Sequence, residues 1–525
     1  MKNKLISIFI WVVLVFLYYY FLLPPIHLQS ISFWGFFLYV LIVGSICLDF
    51  SSLFERRPKF SKISGGFLVI GFGCVGLIFL VNFIYSPVFM SDMYSKRIDI
   101  DMEGNFEEDI EEVDFDKIPL LDKDSSRKLG DRVMGQIPEM VSQFYVSDLY
   151  TQINYQNKIV RVTPLEYHGF FKYMNNHNDG IKGYIEVNST TGESSLVKLK
   201  KGMKYVPSAL FSEDLYRYLR MKYPFEVFGT ETFEVDDEGN PYWVIPIMDY
   251  KAVGLVTDIE EVILLDPISG SSKKYKVEEV PKWVDHVYSA DLILEQVDDW
   301  GSYKEGFFNS IFSQKNVVMT TDGYNYLASD DDIYLYTGIT SVSSDEANIG
   351  FILTNMRTKD TVFYSVAGAE EYSAMDSAKG QVQQMKYTST FPLLINLNGR
   401  PTYLISLKDN AGLVKMYAFV DVVDYQKVTV EDASLGIEKI ASDFLGSEYV
   451  TGSGNTIEEE IVVKEITTAV IDGVSYYYLI SNNDDKYKVS IKIEKDLLPF
   501  IKSGDILKIS YKEKKEVTTI IKIIK

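Results

Sequence analysis

Three apolar runs near the start constrain this chain more than any other feature. Leu5 to Leu23 is apolar or aromatic apart from Ser7, and Ile31 to Leu48 and Phe67 to Tyr85 are similar. Each holds about 18–20 residues, enough for a helix to cross a hydrocarbon core of roughly 30 Å. Lipid offers the backbone no hydrogen-bond partners, so the runs are expected to be helices. Trp11, Trp34 and Tyr18-Tyr19-Tyr20 suit interfacial anchoring or packing between helices. The first run ends in Leu22-Leu23-Pro24-Pro25 rather than a small-residue cleavage site, so it reads as an uncleaved span.

The basic residues give an orientation. Lys2 and Lys4 precede the first span, and Arg56, Arg57, Lys59 and Lys62 lie between the second and third. Pro24 to Ser30 contains no Lys or Arg. The positive-inside rule then puts the N-terminus in the cytoplasm and the residues after about 88 outside it. The net charge is −21, and residues 1–87 carry six Lys/Arg against two acids, which leaves −25 on the rest. A surface of that sign repels phosphate backbones, so nucleic acid is not an expected partner. Both cysteines, Cys47 and Cys74, fall in the spans, which excludes a disulfide scaffold beyond them. Gly71-Phe-Gly73-Cys-Val-Gly76 matches a dinucleotide fingerprint, but it lies inside an apolar run, where small residues serve close helix packing.

Asp99 to Asp116 holds ten acids and no base. Clustered carboxylates are oxygen ligands for Ca²⁺, but no EF-hand spacing is present, and the stretch reads as a solvated spacer. Beyond it the chain repeats itself. Glu186-Val187-Asn188-Ser-Thr-Thr191-Gly192 resembles Leu264-Leu265-Asp266-Pro-Ile-Ser269-Gly270, each followed by a second strand-like run. Both lead to Val-Pro, at 206–207 and 280–281, then to Asp214-Leu215 and Asp291-Leu292. A third copy is Asn355-Met-Arg-Thr358-Lys359-Asp, with lysine at the glycine position. Glu238-Gly-Asn-Pro241-Tyr-Trp and Asn398-Gly-Arg-Pro401-Thr-Tyr give a second recurring element. Helices are expected at about 125–147, 211–222, 290–312, 370–386 and 433–446, each followed by antiparallel strands. The expected organisation is a three-helix transmembrane region (1–90), an acidic tether (91–124) and four α+β repeats (125–210, 211–289, 290–369, 370–446). A small β-barrel, OB-like or SH3-like, follows at 460–525 with five strands.

The hairpin motifs resemble the PepSY family, whose modules place a helix before a meander ending in Val-x-Val-Asp-x-x-Thr-Gly. The resemblance covers about residues 125–430. The chain is also similar to multi-span surface proteins of low-GC Gram-positive bacteria. Such modules occur in peptidase propeptides and membrane-bound envelope proteins, so the resemblance implies binding rather than chemistry.

Catalytic signatures are sparse. Ser125 and Lys128 have Ser–Lys acylase spacing without the partner motifs, and His168 and His177 flank Phe170-Phe171 without a nearby carboxylate cluster. Asp330-Asp331-Asp332 reads as a solvated hairpin tip, because strand side chains alternate and cannot all face one ion. No catalytic, cofactor or metal residue is assigned. Aromatic content is 14%, with 37 tyrosines, and tyrosine is enriched both in strands and at binding surfaces. Trp283, Trp300, Tyr303, Phe307 and, in the C-terminal module, Tyr477 form the candidate binding surface; the alternative is that they seal interfaces between units. The expected function is a non-enzymatic, membrane-anchored extracytoplasmic scaffold or regulator of the cell envelope, binding a protein, peptide or wall polymer. The alternative is an envelope enzyme or transport subunit.

Overall fold

Three helices form where the apolar runs predict them: Lys2–Leu22, Ile31–Asp49 and Lys62–Ile84. Each is long and apolar enough to cross a membrane, and few of their side chains are buried, as helices solvated by lipid require. The computed structural model describes residues 2–49, 61–329, 331–342, 344–446, 457–471, 474–491, 493–494, 497–511, 514, 516–520 and 522–524. Arg56, Arg57, Lys59, Asp330, residues 447–456, whose Gly, Ser and Thr predict a linker, and Asp472-Gly473, a pair that predicts a turn, lie outside the described residues.

The helices pack through small residues and rings. A Cβ on Gly44 would lie 2.9 Å from the Trp11 indole and 3.1 Å from Phe67, so only glycine fits where the three meet. Trp11 donates to the Val40 carbonyl at 3.0 Å, and Tyr18 sits 4.2 Å from Tyr39, so these rings pack between helices. Gly71 faces Leu38 and Leu41 from mid-helix, so the G-x-G-x-x-G pattern is helical here.

The chain forms two compact units, one of Met1–Asn105 with Lys117–Glu370 and one of Phe106–Asp116 with Glu371–Lys525. In the first unit, three antiparallel meanders follow the spans. The first runs through Phe144–Val146 and Thr151–Tyr155, both on Lys158–Tyr167, then Ile181–Asn188 and Ser194–Met203. The second runs Thr232–Val235, Pro241–Tyr250, Thr257–Leu265, Ser272–Lys276. The third is built on Asp332–Ser341, Ser344–Asn355 and Thr361–Tyr364. The middle sheet is apolar on both faces. Trp243, Ile245, Ile247, Ile263 and Leu265 join a core with the first sheet, while Val244, Val262 and Leu264 join a core with the third. Strand alternation delivers both sets from one continuous apolar run, as a sheet covered on two sides demands.

Helices Lys123–Gly135, Leu215–Lys222 and Ala290–Tyr303 accompany these sheets. The first is shorter than its expected 125–147, because Pro138 opens a separate short helix and Phe144 a strand. Gly301 is where the Ala290–Tyr303 helix touches strand Val318–Thr320: a Cβ there would lie 2.1 Å from the Val318 carbonyl oxygen. Gly301→Ala is expected to cost about 1–3 kcal/mol by overpacking, read as a lowered near-UV thermal midpoint of the full chain in micelles.

The acidic stretch is not simply a spacer. Ile100–Gly104 pairs in parallel with Thr361–Tyr364 at the edge of the third sheet, and Ile98, Ile100 and Phe106 are buried. Farther on, in the second unit, Val113 donates to the Asn396 carbonyl at 2.9 Å, and Phe115 lies 6.2 Å from Phe419. A few apolar residues spaced among the acids supply the buried face, and the acids take the solvent side.

The second unit carries a fourth meander, with Leu393–Leu397, Arg400–Lys408, Val414–Asp421 and Val428–Asp432 at its centre, and helices Glu371–Gln381 and Ile437–Leu445. It also carries a six-stranded sheet from 457 to 524. There the long strand Ile457–Ile471 pairs through its first half with Ile506–Tyr511 and through its second with Val474–Ser481. The run Val517–Ile524, whose alternating apolar residues predict one last strand, is split into Val517–Thr519 and Lys522–Ile524, which gives six strands rather than five.

The recurring hairpin has one physical device. Asn188, Asp266, Asn355 and Asp421 each place a side-chain oxygen on a backbone N–H two residues on. Three of these turns then need a left-handed residue: Gly192 at φ 76°, Gly270 at φ 74° and Lys359 at φ 70°. Lysine at that position is strained locally, but its ammonium holds both Asp258 carboxylate oxygens at 2.8 Å and the Arg97 carbonyl at 2.9 Å. The turn at Asp421 is longer, closing on Lys427.

Candidate functional site

Within the first unit, the helix-and-sheet part is fastened to one end of the helix bundle. Helix Leu215–Lys222 is amphipathic, with Leu215 and Leu219 in the core and two arginines, three residues apart, directed at the first span. The last carbonyls of a helix have no partner within it. Arg220 supplies one to Leu23 at 2.9 Å, and Arg217 reaches Tyr20 at 3.4 Å with its guanidinium 4.3 Å from the Tyr20 ring centre. Arg220 is 5% exposed, also donates to the Glu226 carbonyl at 2.6 Å, and is held by burial to a pKa of about 10.

The other span ends are held by the loop that follows strand Pro241–Tyr250. Gln29 donates to the Tyr250 carbonyl at 2.5 Å and accepts from Gly254 N–H at 2.9 Å through its own carbonyl. Asn82 and Val253 exchange two hydrogen bonds, at 3.0 and 3.1 Å. Past the third span, Arg97 is buried between Glu295 at 2.8 Å and Asp299, and it donates to the Thr257 carbonyl. Burial lifts the Asp299 carboxyl to about 6 against the pull of Arg97. The sequence carried these signals only as a lone Asn in an apolar run and two arginines that also suit a helix C-terminus.

A second cluster lies where the first three sheets meet. Glu234, Asp285 and His286 are 0%, 1% and 6% exposed. Glu234 accepts from the backbone N–H of Asp285 at 2.8 Å and of His286 at 3.2 Å, and from the Thr232 hydroxyl at 2.8 Å. Asp285 accepts from Asn154 N–H at 2.7 Å through one oxygen, while its other oxygen is buried without a partner. Burial raises both carboxyls, and the Glu234 charge raises Asp285 further. Burial also lowers His286 to about 4, so its neutral ring donates from Nε2 to the Gln152 carbonyl at 2.6 Å. An acid pair with a histidine can hold and move a proton, but this set is sealed from solvent and therefore from substrate.

Accessible space lies nearby in a cleft of about 350 Å³ lined by Phe228, Glu231, Pro246, Met248 and Leu292, at the low end for small-molecule sites. Its carboxylate, Glu231, already accepts from the Tyr216 hydroxyl at 2.5 Å. Among the described residues no group of three or more His, Cys, Asp or Glu is arranged to hold a metal ion. His168 and His177 sit at opposite ends of the short helix Phe170–Asn176, one against Tyr145 and the other stacked on Tyr173. Asp332 is not a solvated tip: it takes a bidentate ion pair from Arg357, and its side chain is 13% exposed.

The predicted aromatic residues divide. Trp283 packs 5.0 Å from Tyr242, and Trp300 lies against the same core with Lys304 4.0 Å over its ring. Tyr303 and Phe307 stack at 6.4 Å in a line of rings that leads outward. Tyr477, in the second unit, is half-buried on its own sheet's core, and its neighbour Tyr476 is fully buried.

No protein-family model matches the chain, and no curated protein matches it. Among solved structures it is similar to the crystal structure of an ACO/RPE65 chimera at 9% identity, with a TM-score of 0.14. That alignment covers 72% of this chain and 64% of the other, under two thirds of its length. A TM-score of that size does not describe a shared fold.

Proposed function

We propose that this chain is a non-enzymatic scaffold or regulator of the cell envelope, anchored by three spans with its folded part on the extracytoplasmic side. The observation that carries the reading is the fastening of the helix-and-sheet part of the first unit to the span ends through Arg217, Arg220, Gln29 and Asn82. Such fastening fixes the height and rotation of a binding surface over the membrane, which a loosely tethered enzyme does not need. The four helix-and-meander segments fit PepSY-like binding modules, and the C-terminal six-stranded sheet, with its long shared strand, fits a small barrel. Lys62 opens the third span at the end away from Asn82, which suits a cytoplasmic face.

Two measurements test this. Protease added to whole, wall-stripped cells is expected to remove a C-terminal epitope; full protection would overturn the orientation. Crosslinking in intact cells is expected to trap a specific envelope partner. Turnover of an envelope substrate by the purified chain, abolished by Glu231→Gln in the cleft, would replace the binding role with an enzymatic one.

A further inference from the structure

We propose that the apolar tip formed by Phe308, Ile311 and Phe312 is a lipid-inserting foot, seated in the bilayer interface beside the third span. The proposal rests on the spans crossing a membrane and extends it to a surface outside them. The three side chains are 65%, 53% and 80% exposed and adjacent on one short turn. Clustered large apolar side chains of that exposure mark an interaction site rather than a solvated loop.

The occupant follows from what the tip is joined to. The Tyr94 hydroxyl donates to the Tyr85 carbonyl at 2.9 Å, directly after the third span. The Tyr303 ring is 6.0 Å from Tyr94, Phe307 is 6.4 Å from Tyr303, Phe308 is 5.6 Å from Phe307, and Phe312 is 6.4 Å from Phe308. An unbroken line of rings thus runs from the span's end to the tip. The helix direction agrees. Arg97 meets Glu295 and Asp299, whereas Tyr94 meets Tyr303, so the helix Ala290–Tyr303 runs back toward the span as the chain leaves it. Phe89, 57% exposed and 5.1 Å from Phe83, adds a further exposed ring at the end of the same span.

The tip is also built rather than loose. Gly306, at φ 89°, ends the helix, and one π-turn at Asn309–Ser313 closes on Gln314 at φ 49°. The Asn309 side chain holds that turn by donating to the Lys315 carbonyl at 2.9 Å and accepting from Ser313. Exposed Lys304 and Lys315 flank it, which suits a headgroup layer rich in phosphate. Aromatic rings between apolar core and charged rim are the composition of a membrane interface.

The test uses the unmodified full chain in nanodiscs containing a phosphatidylcholine whose acyl chain carries a diazirine. After illumination, lipid adducts are expected on the span peptides and on the tryptic peptide 305–315, with none on the turn at Asp237-Glu238, at the far end of the strand whose other end meets Gln29. Adducts on the spans but none on 305–315 would overturn the foot and leave the spans intact. No adducts on the spans would overturn the membrane reading itself. In a Cys47→Ser/Cys74→Ser background, an NBD label at Phe312→Cys is expected to be quenched at least threefold more by 5-doxyl lipid than a label at Asp237→Cys. A label at 312 that is blue-shifted yet untouched by doxyl lipid would assign the surface to a protein contact and overturn the proposal.

Discussion

Glu234→Ala is expected to cost about 3–5 kcal/mol, because it leaves two buried backbone N–H groups without an acceptor and opens a cavity among three sheets. Asp285→Asn, at the neighbouring acid, is expected to act in the opposite direction at alkaline pH. Asp285 has one oxygen bonded to Asn154 N–H and one buried without a partner, so the unpartnered oxygen is where a proton sits. Its folded pKa lies well above the ordinary 3.8, with burial the first cause and the Glu234 charge the second. The folded chain therefore holds a proton that the unfolded chain releases. The stability tied to that proton is complete below about pH 4, falls as pH rises through the folded pKa, and is then lost. Wild type is expected to melt lower at pH 8 than at pH 5. Asp285→Asn, neutral at both, is expected to reduce that difference, since the raised carboxyls of Glu234 and Asp299 still lose stability and buried His286 still gains it as pH rises, and to exceed wild type at pH 8 by on the order of 1–2 kcal/mol. Thermal melts of the full chain at the two pH values check it; a wild-type midpoint that rises toward pH 8, with Asp285→Asn below it, would show that both acids are charged in the fold.

The two regular periodicities made much of the fold legible. The spans, the five helix positions and the hairpins of the C-terminal sheet all follow from apolar spacing and turn residues, because those signals are local. The parts that were not legible depend on contacts between distant residues. Ile98 and Ile100 are sparse apolar residues at the start of an acidic run, and charge composition hides them until Thr361–Tyr364 supplies a partner strand. Lys359 looked like a lost glycine, whereas its side chain holds Asp258, about a hundred residues earlier in sequence. The candidate site was legible as a cluster of aromatics but not as two structures. Trp283 and Trp300 are half-buried against the core, and the exposed end of the line lies at Phe308 and Phe312.

Arg220→Met is expected to free the folded unit from the first span at a cost of about 2–5 kcal/mol. Methionine keeps the apolar stem and removes every donor, so the Leu23 and Glu226 carbonyls lose their partner in a site that water enters poorly. The contact over the Phe228 ring, 4.5 Å from the guanidinium, is lost as well. Arg217→Met is the internal control, because Arg217 is only half-buried and its bond to Tyr20 is 3.4 Å long; it is expected to change stability by under about 1 kcal/mol. Hydrogen exchange on the full chain in nanodiscs separates the outcomes. In Arg220→Met, amides of residues 23–30 and 220–228 are expected to exchange at least tenfold faster, including Ile26, whose N–H is held by the Pro224 carbonyl at 2.8 Å. The loop at 250–254 keeps its bonds to Gln29 and Asn82, so it is expected to slow the loss rather than prevent it. Unchanged exchange at Ile26 would mean that those two polar side chains carry the fastening by themselves, and that the arginines only cap the helix they approach.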